Sequence, residues 1–187
     1  GIYAYDGAIA ELFNNEVSGA SDASGISISS SKVNMHDNDI GPIGGWNGIW
    51  LIGSYDVMAE RNNIVNTAKE PLRAGEFGSQ APSPAASRLY FVNNTITQNS
   101  PGVCSSTKYW GGDYTCPAVS VFRTGVTLKD NQISVGGDAD GIRAIGAILD
   151  VQRNTFDVGS TGAIIKHYDD GYANSQQYGS LAFFSQN

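Results

Sequence analysis

One short pattern constrains the fold of this chain more than any other feature. It reads apolar, any, apolar, any, any, Asn, any, apolar, and its seventh copy ends with the Asn at the end of the chain. The shared residues are Asn15, Asn38, Asn62, Asn94, Asn131, Asn154 and Asn187. They are 23, 24, 32, 37, 23 and 33 residues apart, so a base period near 23 carries three insertions. Self-similarity at such a period predicts a solenoid.

Two kinds of solenoid share this string. A leucine-rich repeat has a further Leu three residues before the first apolar position, where this chain has turn formers such as Gly7, Ser30 and Gly146. It also needs a packed segment after the last apolar position, where this chain has turn sequences such as 136–140. Both observations disfavour the leucine-rich repeat.

A second short strand is predicted about eleven residues after most of the Asn residues. Gly25-Ile26-Ser27-Ile28 and Gly141-Ile142-Arg143-Ala144 are two of these segments, and they alternate with period two. Such alternation is typical of strands with one buried face. Three short strands per repeat predict an all-β fold, a single-stranded right-handed parallel β-helix of about seven coils with an Asn ladder.

These repeats resemble the pectate-lyase-like and NosD-like β-helix families, whose coils read Gly-Ile-x-apolar, turn, apolar-x-apolar, x-x-Asn-x-Ile. The resemblance covers essentially the whole chain. It implies that Gly-Ile-x-apolar forms a first sheet and apolar-x-apolar a second, with the Asn in a tight turn before a third. We expect the ladder Asn residues to tolerate left-handed backbone geometry and their amides to hydrogen-bond from coil to coil.

We expect one domain over 1–187, interrupted by insertions at 76–87, 97–117 and 169–178. All three insertions fall in turns on either side of the predicted first sheet, and none interrupts an Asn turn. Loops on a rigid scaffold are where binding usually resides. Neither end of the sequence reads as the polar cap that a solenoid needs, so we expect a processed product or a slice of a longer protein.

The charge and the cysteines narrow the class of partner and the compartment. A formal net charge of −7 argues against nucleic acid as a partner, and no run of 18 apolar residues predicts a membrane span. Cys104 and Cys116 lie within one insertion with no His nearby, which favours a disulfide over a metal site; two unrelated free thiols are the alternative. A disulfide indicates an oxidising compartment, hence an extracellular or cell-surface protein.

The residues that follow the first inward position of each coil form an outward column on the first sheet. The column is Tyr3, Ser27, Trp50, Arg73, Ser120, Arg143 and Lys166. In the last coil a one-residue shift would place Ile165 and His167 outward instead. Aromatic rings stack on sugar rings and Arg binds carboxylates, so the column predicts a binding surface for a polysaccharide or cell-surface glycan. The alternative is that exposed strands simply accept such residues.

Three enzymatic signatures of the resembling families, Asn-Thr-Asp, Gly-His-Gly and Arg-Ile-Lys, are missing. The sequence has one adjacent Asp pair, Asp169-Asp170, in the third insertion, where loop acids are usually just solvated. Arg73, Arg143 or Lys166 would have to serve as the base of a lyase. We expect no cofactor; the turn 136–141 is a weak calcium candidate, and a plain turn is favoured. Trp110 and its tyrosine neighbours in the second insertion form either a contact surface or a packing surface for that loop.

Three functions remain open. The first is an extracellular module that binds a polysaccharide along the first sheet, through Tyr3, Trp50, Arg73, Arg143, Lys166 and Trp110. The second is a polysaccharide lyase or glycoside hydrolase with an unrecognised site. The third is a structural surface or fibre protein, for which end-to-end or side-by-side self-association of solenoids is natural.

Overall fold

Each of the first six repeats folds as one coil with three short strands, one in each parallel sheet, and the seventh contributes two strands in the described residues. The computed structural model describes residues 1–53, 56–75, 88–106, 112–166 and 181–187, with Ser105 and Ser106 described for the backbone alone. In the described residues the strands stack into two seven-stranded sheets and one six-stranded sheet. None of the helical structure that a membrane span requires occurs in this part of the chain.

The first sheet contains one strand from every coil. These strands are β1 (Ile2–Ala4), β4 (Ile26–Ser29), β7 (Ile49–Ile52), β10 (Leu72–Gly75), β15 (Val119–Phe122), β18 (Ile142–Ile145) and β21 (Ala163–Lys166). The second sheet follows the first after a short turn in most coils. Its strands are β2 (Ile9–Phe13), β5 (Lys32–His36), β8 (Asp56–Glu60), β11 (Arg88–Val92), β16 (Gly125–Lys129), β19 (Ile148–Gln152) and β22 (Leu181–Ser185).

The third sheet begins just after the ladder Asn. Its strands are β3 (Glu16–Val17), β6 (Asp39–Ile40), β9 (Asn63–Val65), β12 (Thr95–Gln98), β17 (Gln132–Val135) and β20 (Thr155–Val158). Every pairing within the three sheets is parallel. The predicted parallel β-helix is therefore confirmed.

The core is a set of apolar columns that run along the rod. Ile26, Ile49, Leu72 and Ile142 on the first sheet have no exposed surface, and neither has Val57 on the second sheet. Full burial of such a side chain is worth about 1.5–3 kcal/mol relative to leaving it exposed. The alternation of the sequence therefore becomes a continuous interior once the coils stack in register.

The Asn ladder is present from one end of the rod to the other. Each ladder amide Nδ2 donates to the Oδ1 of the next ladder Asn at 2.8–3.2 Å, from Asn15 to Asn187. The same Oδ1 also accepts the backbone N–H of the preceding ladder Asn. Asn38, Asn62 and Asn131 are almost fully buried. Because unmet polar groups in a core are costly, these hydrogen bonds from coil to coil allow the amide column to be buried.

The expected left-handed geometry lies one residue earlier than predicted. The residues that directly precede the ladder positions all have φ between 51° and 56°; they are Asn14, Asp37, Arg61, Asn93, Asp130, Arg153 and Gln186. The prediction that the ladder Asn residues themselves occupy left-handed geometry was wrong. Asn is required at the ladder for its amide hydrogen bonds, whereas the strained turn position is taken by side chains that point toward solvent.

Two ion pairs join these turn residues between adjacent coils. Arg61 donates from Nε and Nη2 to the two oxygens of Asp37 at 2.8 Å, and Arg153 makes the same paired contact with Asp130 at 2.7 Å. The Arg61 guanidinium, and after it His36, lowers the pKa of Asp37 from its ordinary 3.8 to about 2. Arg153 likewise lowers the pKa of Asp130.

These ion pairs predict a pH dependence in the acid range. The pKa of Asp37 is lower in the folded state than its ordinary 3.8. The ionised carboxylate therefore contributes its full stabilisation of the fold above pH 3.8, and this stabilisation is lost as the pH falls toward about 2. We expect Asp37→Asn to lower the melting temperature near neutral pH and to differ less from the unmodified protein near pH 2. The exposed loop carboxylate of Asp22 supplies the control, Asp22→Asn. A difference for Asp37→Asn that stays constant across this range would contradict the assignment.

The predicted insertions are described only in part. The insertions 76–87 and 169–178 lie outside the described residues, apart from their flanking strands. The insertion predicted at 97–117 begins later than expected, because β12 continues through Gln98. It contains an antiparallel hairpin of β13 (Val103–Ser106) and β14 (Gly112–Thr115). The predicted bond between Cys104 and Cys116 is present, with an S–S distance of 2.03 Å.

Candidate functional site

The register of the first sheet assembles most of the predicted outward column. Tyr3 pairs with Ser27, Ser27 with Trp50 and Trp50 with Arg73. Arg73 then pairs with Ser120, and Ser120 with Arg143. These residues alternate with the buried positions of each strand, so six members of the predicted column share one face.

Lys166 does not belong to this row. In the last coil Ile164 lies opposite Arg143, and Lys166 lies opposite Ile145, two positions further along the strand. Ile165 points inward opposite Ala144, as expected from its parity, but Ala163 and not Ile165 aligns with Ile142. Trp110 and the alternative His167 lie outside the described residues.

A second buried polar ladder lies at the turn that leads into the first sheet. Ser24, Asn47, Glu70 and Asp140 each directly precede the segment that enters this sheet, and each is at most 2% exposed. The Oγ of Ser24 accepts the backbone N–H of Asn47 at 3.3 Å, and Asn47 Nδ2 donates to the Glu70 carboxylate at 2.8 Å. Asp140 Oδ1 accepts the backbone N–H of Thr161 at 3.1 Å. Buried carboxylates persist only with such partners.

The two buried carboxylates engage the two arginines of the outward column. Arg73 Nη1 is 3.8 Å from Glu70 Oε1, which also accepts the hydroxyl of Ser120 at 2.9 Å. Arg143 Nε is 2.5 Å from Asp140 Oδ2. Each Arg follows its carboxylate by three residues, so the turn supplies the counter-charge as the strand begins. The calcium candidate 136–141 thus directs its Asp140 carboxylate to protein partners.

The disulfide hairpin covers the middle of the same face. The Arg143 guanidinium lies over the ring of Tyr114 from β14 at 4.3 Å, and the Arg73 guanidinium lies over Phe122 at 5.1 Å. Ser120 is fully buried although its strand position points outward. Burial, and after it the charge of Glu70, raises the pKa of Tyr114 to about 12. The predicted binding surface is therefore not open along the whole sheet.

The open part of the face lies toward the N-terminal coils and is aromatic. The rings of Trp46 and Trp50 lie 5.5 Å apart and are tilted by 33°. Lys69 Nζ lies over the Trp46 ring at 5.3 Å. Trp46 is 44% exposed and Tyr3 is 58% exposed. We call Tyr3, Ser27, Trp46 and Trp50 the aromatic face.

Trp46, Lys69, Glu70 and Asp140 were missed as site residues because they lie in turns. Strand periodicity predicts which way a strand residue faces, but it does not predict the side-chain direction of a turn residue. The one signal is positional: the residue immediately before each Gly-Ile-like start is polar in most coils.

Among the described residues one trio meets the distance requirement for a metal site. Ligand atoms of Glu70, Cys104 and Cys116 lie within 4.8 Å of one another. Both sulfurs are joined in the disulfide, so they offer no thiolate to a metal. The arrangement is that of a carboxylate packed beside a buried disulfide.

The stacked parallel sheets, the ladder and the absence of other layers in the described residues define a parallel β-helix protein with one elaborated face. A family model described as the right handed beta helix region matches residues 1–175, and the chain belongs to that family. No curated protein and no solved structure matches the chain.

Proposed function

We propose that this chain is an extracellular carbohydrate-associated module that binds a polysaccharide along its first sheet. The observation that carries the proposal is the partly exposed Trp46–Trp50 pair, in which Trp50 lies on the first sheet and Trp46 in the turn before it, with ring centroids 5.5 Å apart. Indole rings offer large apolar faces with little conformational entropy to lose, and the apolar face of a sugar ring packs on such surfaces.

The spacing of the coils suits a linear ligand. Tyr3, Ser27 and Trp50 occupy successive coils, so Tyr3 and Trp50 are about 10 Å apart along the rod at ordinary strand spacing. A sugar chain that runs parallel to the rod axis would meet an aromatic ring, a hydroxyl and a second aromatic ring in turn. Ser27 supplies a hydrogen-bonding group between the two stacking positions.

The buried disulfide supports the compartment. Cys104 and Cys116 are 4% and 0% exposed, as expected for a structural bond rather than a reactive one. Disulfides of this kind persist in oxidising environments outside the cytosol. A polysaccharide ligand would be found in the same compartment.

We propose binding and assign no catalytic step to this face. The residues considered as catalytic bases, Arg73 and Arg143, are engaged by Glu70 and Asp140 and by aromatic rings. Lys166 lies opposite Ile145 and outside the outward row. No group with the properties of a general base therefore stands out on the described part of this face.

The test is a comparison of Trp50→Ala with the unmodified protein against a panel of oligosaccharides. We expect Trp50→Ala to weaken binding at least about tenfold at all salt concentrations, because stacking is a central contact that salt screens little. Met58→Ala is the matched control, since Met58 is exposed on the second sheet of the same coil. Equal affinities for all three proteins, or no ligand in the panel, would contradict the proposal.

A further inference from the structure

We propose that the ligand of the aromatic face is an uncharged polysaccharide, and that the buried carboxylates Glu70 and Asp140 set this preference. The inference rests on the proposed function and specifies its ligand class. It differs from the expectation drawn from the sequence, in which the arginines of the outward column bind carboxylates of the ligand.

The outward arginines already have carboxylate partners within the protein. Arg73 pairs with Glu70 and Arg143 pairs with Asp140, with nitrogen–oxygen distances of 3.8 and 2.5 Å. A carboxylate on a ligand would have to compete with a carboxylate that the protein already supplies. The Arg73 guanidinium also lies over Phe122 on the adjacent strand, and the Arg143 guanidinium lies over Tyr114 of the hairpin.

The two buried carboxylates are held in place by hydrogen bonds. Glu70 accepts hydrogen bonds from Asn47 Nδ2 and Ser120 Oγ, and Asp140 accepts one from the backbone N–H of Thr161. Glu70 has no exposed surface and Asp140 has 2%. Neither group can turn into solvent to release its arginine, because a buried carboxylate that leaves its donors is strongly disfavoured.

The electrostatic field of the whole molecule also disfavours an anionic ligand. The net charge is −7 and the isoelectric point is about 4.6. Lys69 lies on the aromatic face over Trp46, but a single surface cation attracts an anion weakly and salt screens it. A polyuronate would therefore approach a negatively charged protein through arginines that are already neutralised. An uncharged sugar chain stacks on Trp46 and Trp50 without electrostatic repulsion from the protein.

The experiment uses pairs of oligosaccharides that share a backbone and linkage and differ in the charge of the group at C6. Suitable probes are methyl-esterified and de-esterified α-1,4-galacturonan, and β-1,4-glucan before and after oxidation of its C6 hydroxymethyl groups to carboxylates. Each is titrated calorimetrically at low and at high salt. We expect at least one uncharged member to bind, its charged counterpart to bind at least about fivefold more weakly, and the affinity of the uncharged member to change less than about twofold with salt.

Glu70→Gln gives a gain-of-function arm. It keeps the side-chain size and removes the charge that neutralises Arg73. We expect the affinity for the charged probe to rise about two- to fivefold at low salt while the affinity for the uncharged probe stays the same. Asp157→Asn is the matched control, since it makes the same change in net charge at an exposed position on the third sheet. If Glu70→Gln does not fold, Asp140→Asn applies the same test at Arg143.

The outcomes separate the inference from the proposed function. Binding of the charged members alone, with strong salt dependence, would overturn the inference and leave polysaccharide binding in place. The same gain in Asp157→Asn as in Glu70→Gln would also overturn it, because the effect would then come from net charge. Failure of every probe to bind would remove the proposed function and the inference together.

Discussion

Asn131→Ala is expected to lower the free energy of unfolding by about 3–5 kcal/mol. Asn131 Nδ2 donates to the Phe91 carbonyl at 2.9 Å and to Asn154 Oδ1 at 2.8 Å. Its Oδ1 accepts the backbone N–H and the Nδ2 of Asn94 at 2.9 and 3.0 Å. Alanine removes these bonds and takes away the Oδ1 that accepts the buried backbone N–H of Asn94, whereas Asn154 Oδ1 keeps its bond from the backbone N–H of position 131.

The control for this prediction is the next residue in the chain. Gln132 is exposed at the start of β17, so Gln132→Ala should change the free energy of unfolding by no more than about 0.5 kcal/mol. Chemical denaturation of the three proteins gives both values. An unchanged denaturation midpoint for Asn131→Ala would mean that the ladder amides do not hold the coils together.

The second large effect is expected for Gly75→Ala, at about 3–5 kcal/mol of lost stability. Gly75 has a φ of 82°, and a Cβ built on it would collide with the carbonyl oxygen of Phe122 on the adjacent strand. That oxygen belongs to a backbone fixed in the first sheet, so it cannot move aside as a flexible side chain would.

Gly53→Ala is the matched control for Gly75→Ala. Gly53 also has a positive φ, of 54°, but its Cβ would meet Ser30 Oγ at 3.4 Å and, apart from its chain neighbours, no backbone atom of the described residues within 4 Å. Ser30 and Arg123, which follow β4 and β15 as Gly53 follows β7, adopt a similar φ. We expect a loss of about 1 kcal/mol for Gly53→Ala. Equal losses for the two variants in thermal or chemical denaturation would contradict a steric origin.

The sequence predicts the fold because the ladder Asn has a fixed chemical identity and a fixed place in each coil. The left-handed position beside it carries no such signal. It is filled by residues as different as Asn14, Asp37 and Arg61, because their side chains point away from the core and only the backbone is constrained. Its location could be found from coordinates and not from the pattern of residue types.

The error at Lys166 has a similar origin. Ile142 follows Asn131 by eleven residues, whereas the equivalent Ala163 follows Asn154 by nine. The turn before β21 is shorter, so a register counted from the earlier coils places the last strand two residues out. Turn lengths vary without disturbing the stack, and spacing alone therefore fails where a turn changes.

The site was predicted less completely than the fold. Strand alternation identified Tyr3, Trp50, Arg73 and Arg143 as outward residues, and the register places them on one face. It gave no indication that both arginines have buried counter-charges or that Tyr114 of the hairpin packs against Arg143. Those features depend on contacts between turns distant in sequence, such as Ser120 with Glu70, 50 residues apart.

A crystal structure with an uncharged oligosaccharide bound would test the central claim most directly. The account predicts a sugar chain parallel to the rod axis on the first sheet, with rings stacked on Trp46 or Trp50 and directed toward Tyr3. The molecule offers other concave surfaces, including one on the third sheet lined by Thr95, Thr97 and Ser134. A ligand seated there, with Trp46 and Trp50 uncovered, would contradict the account.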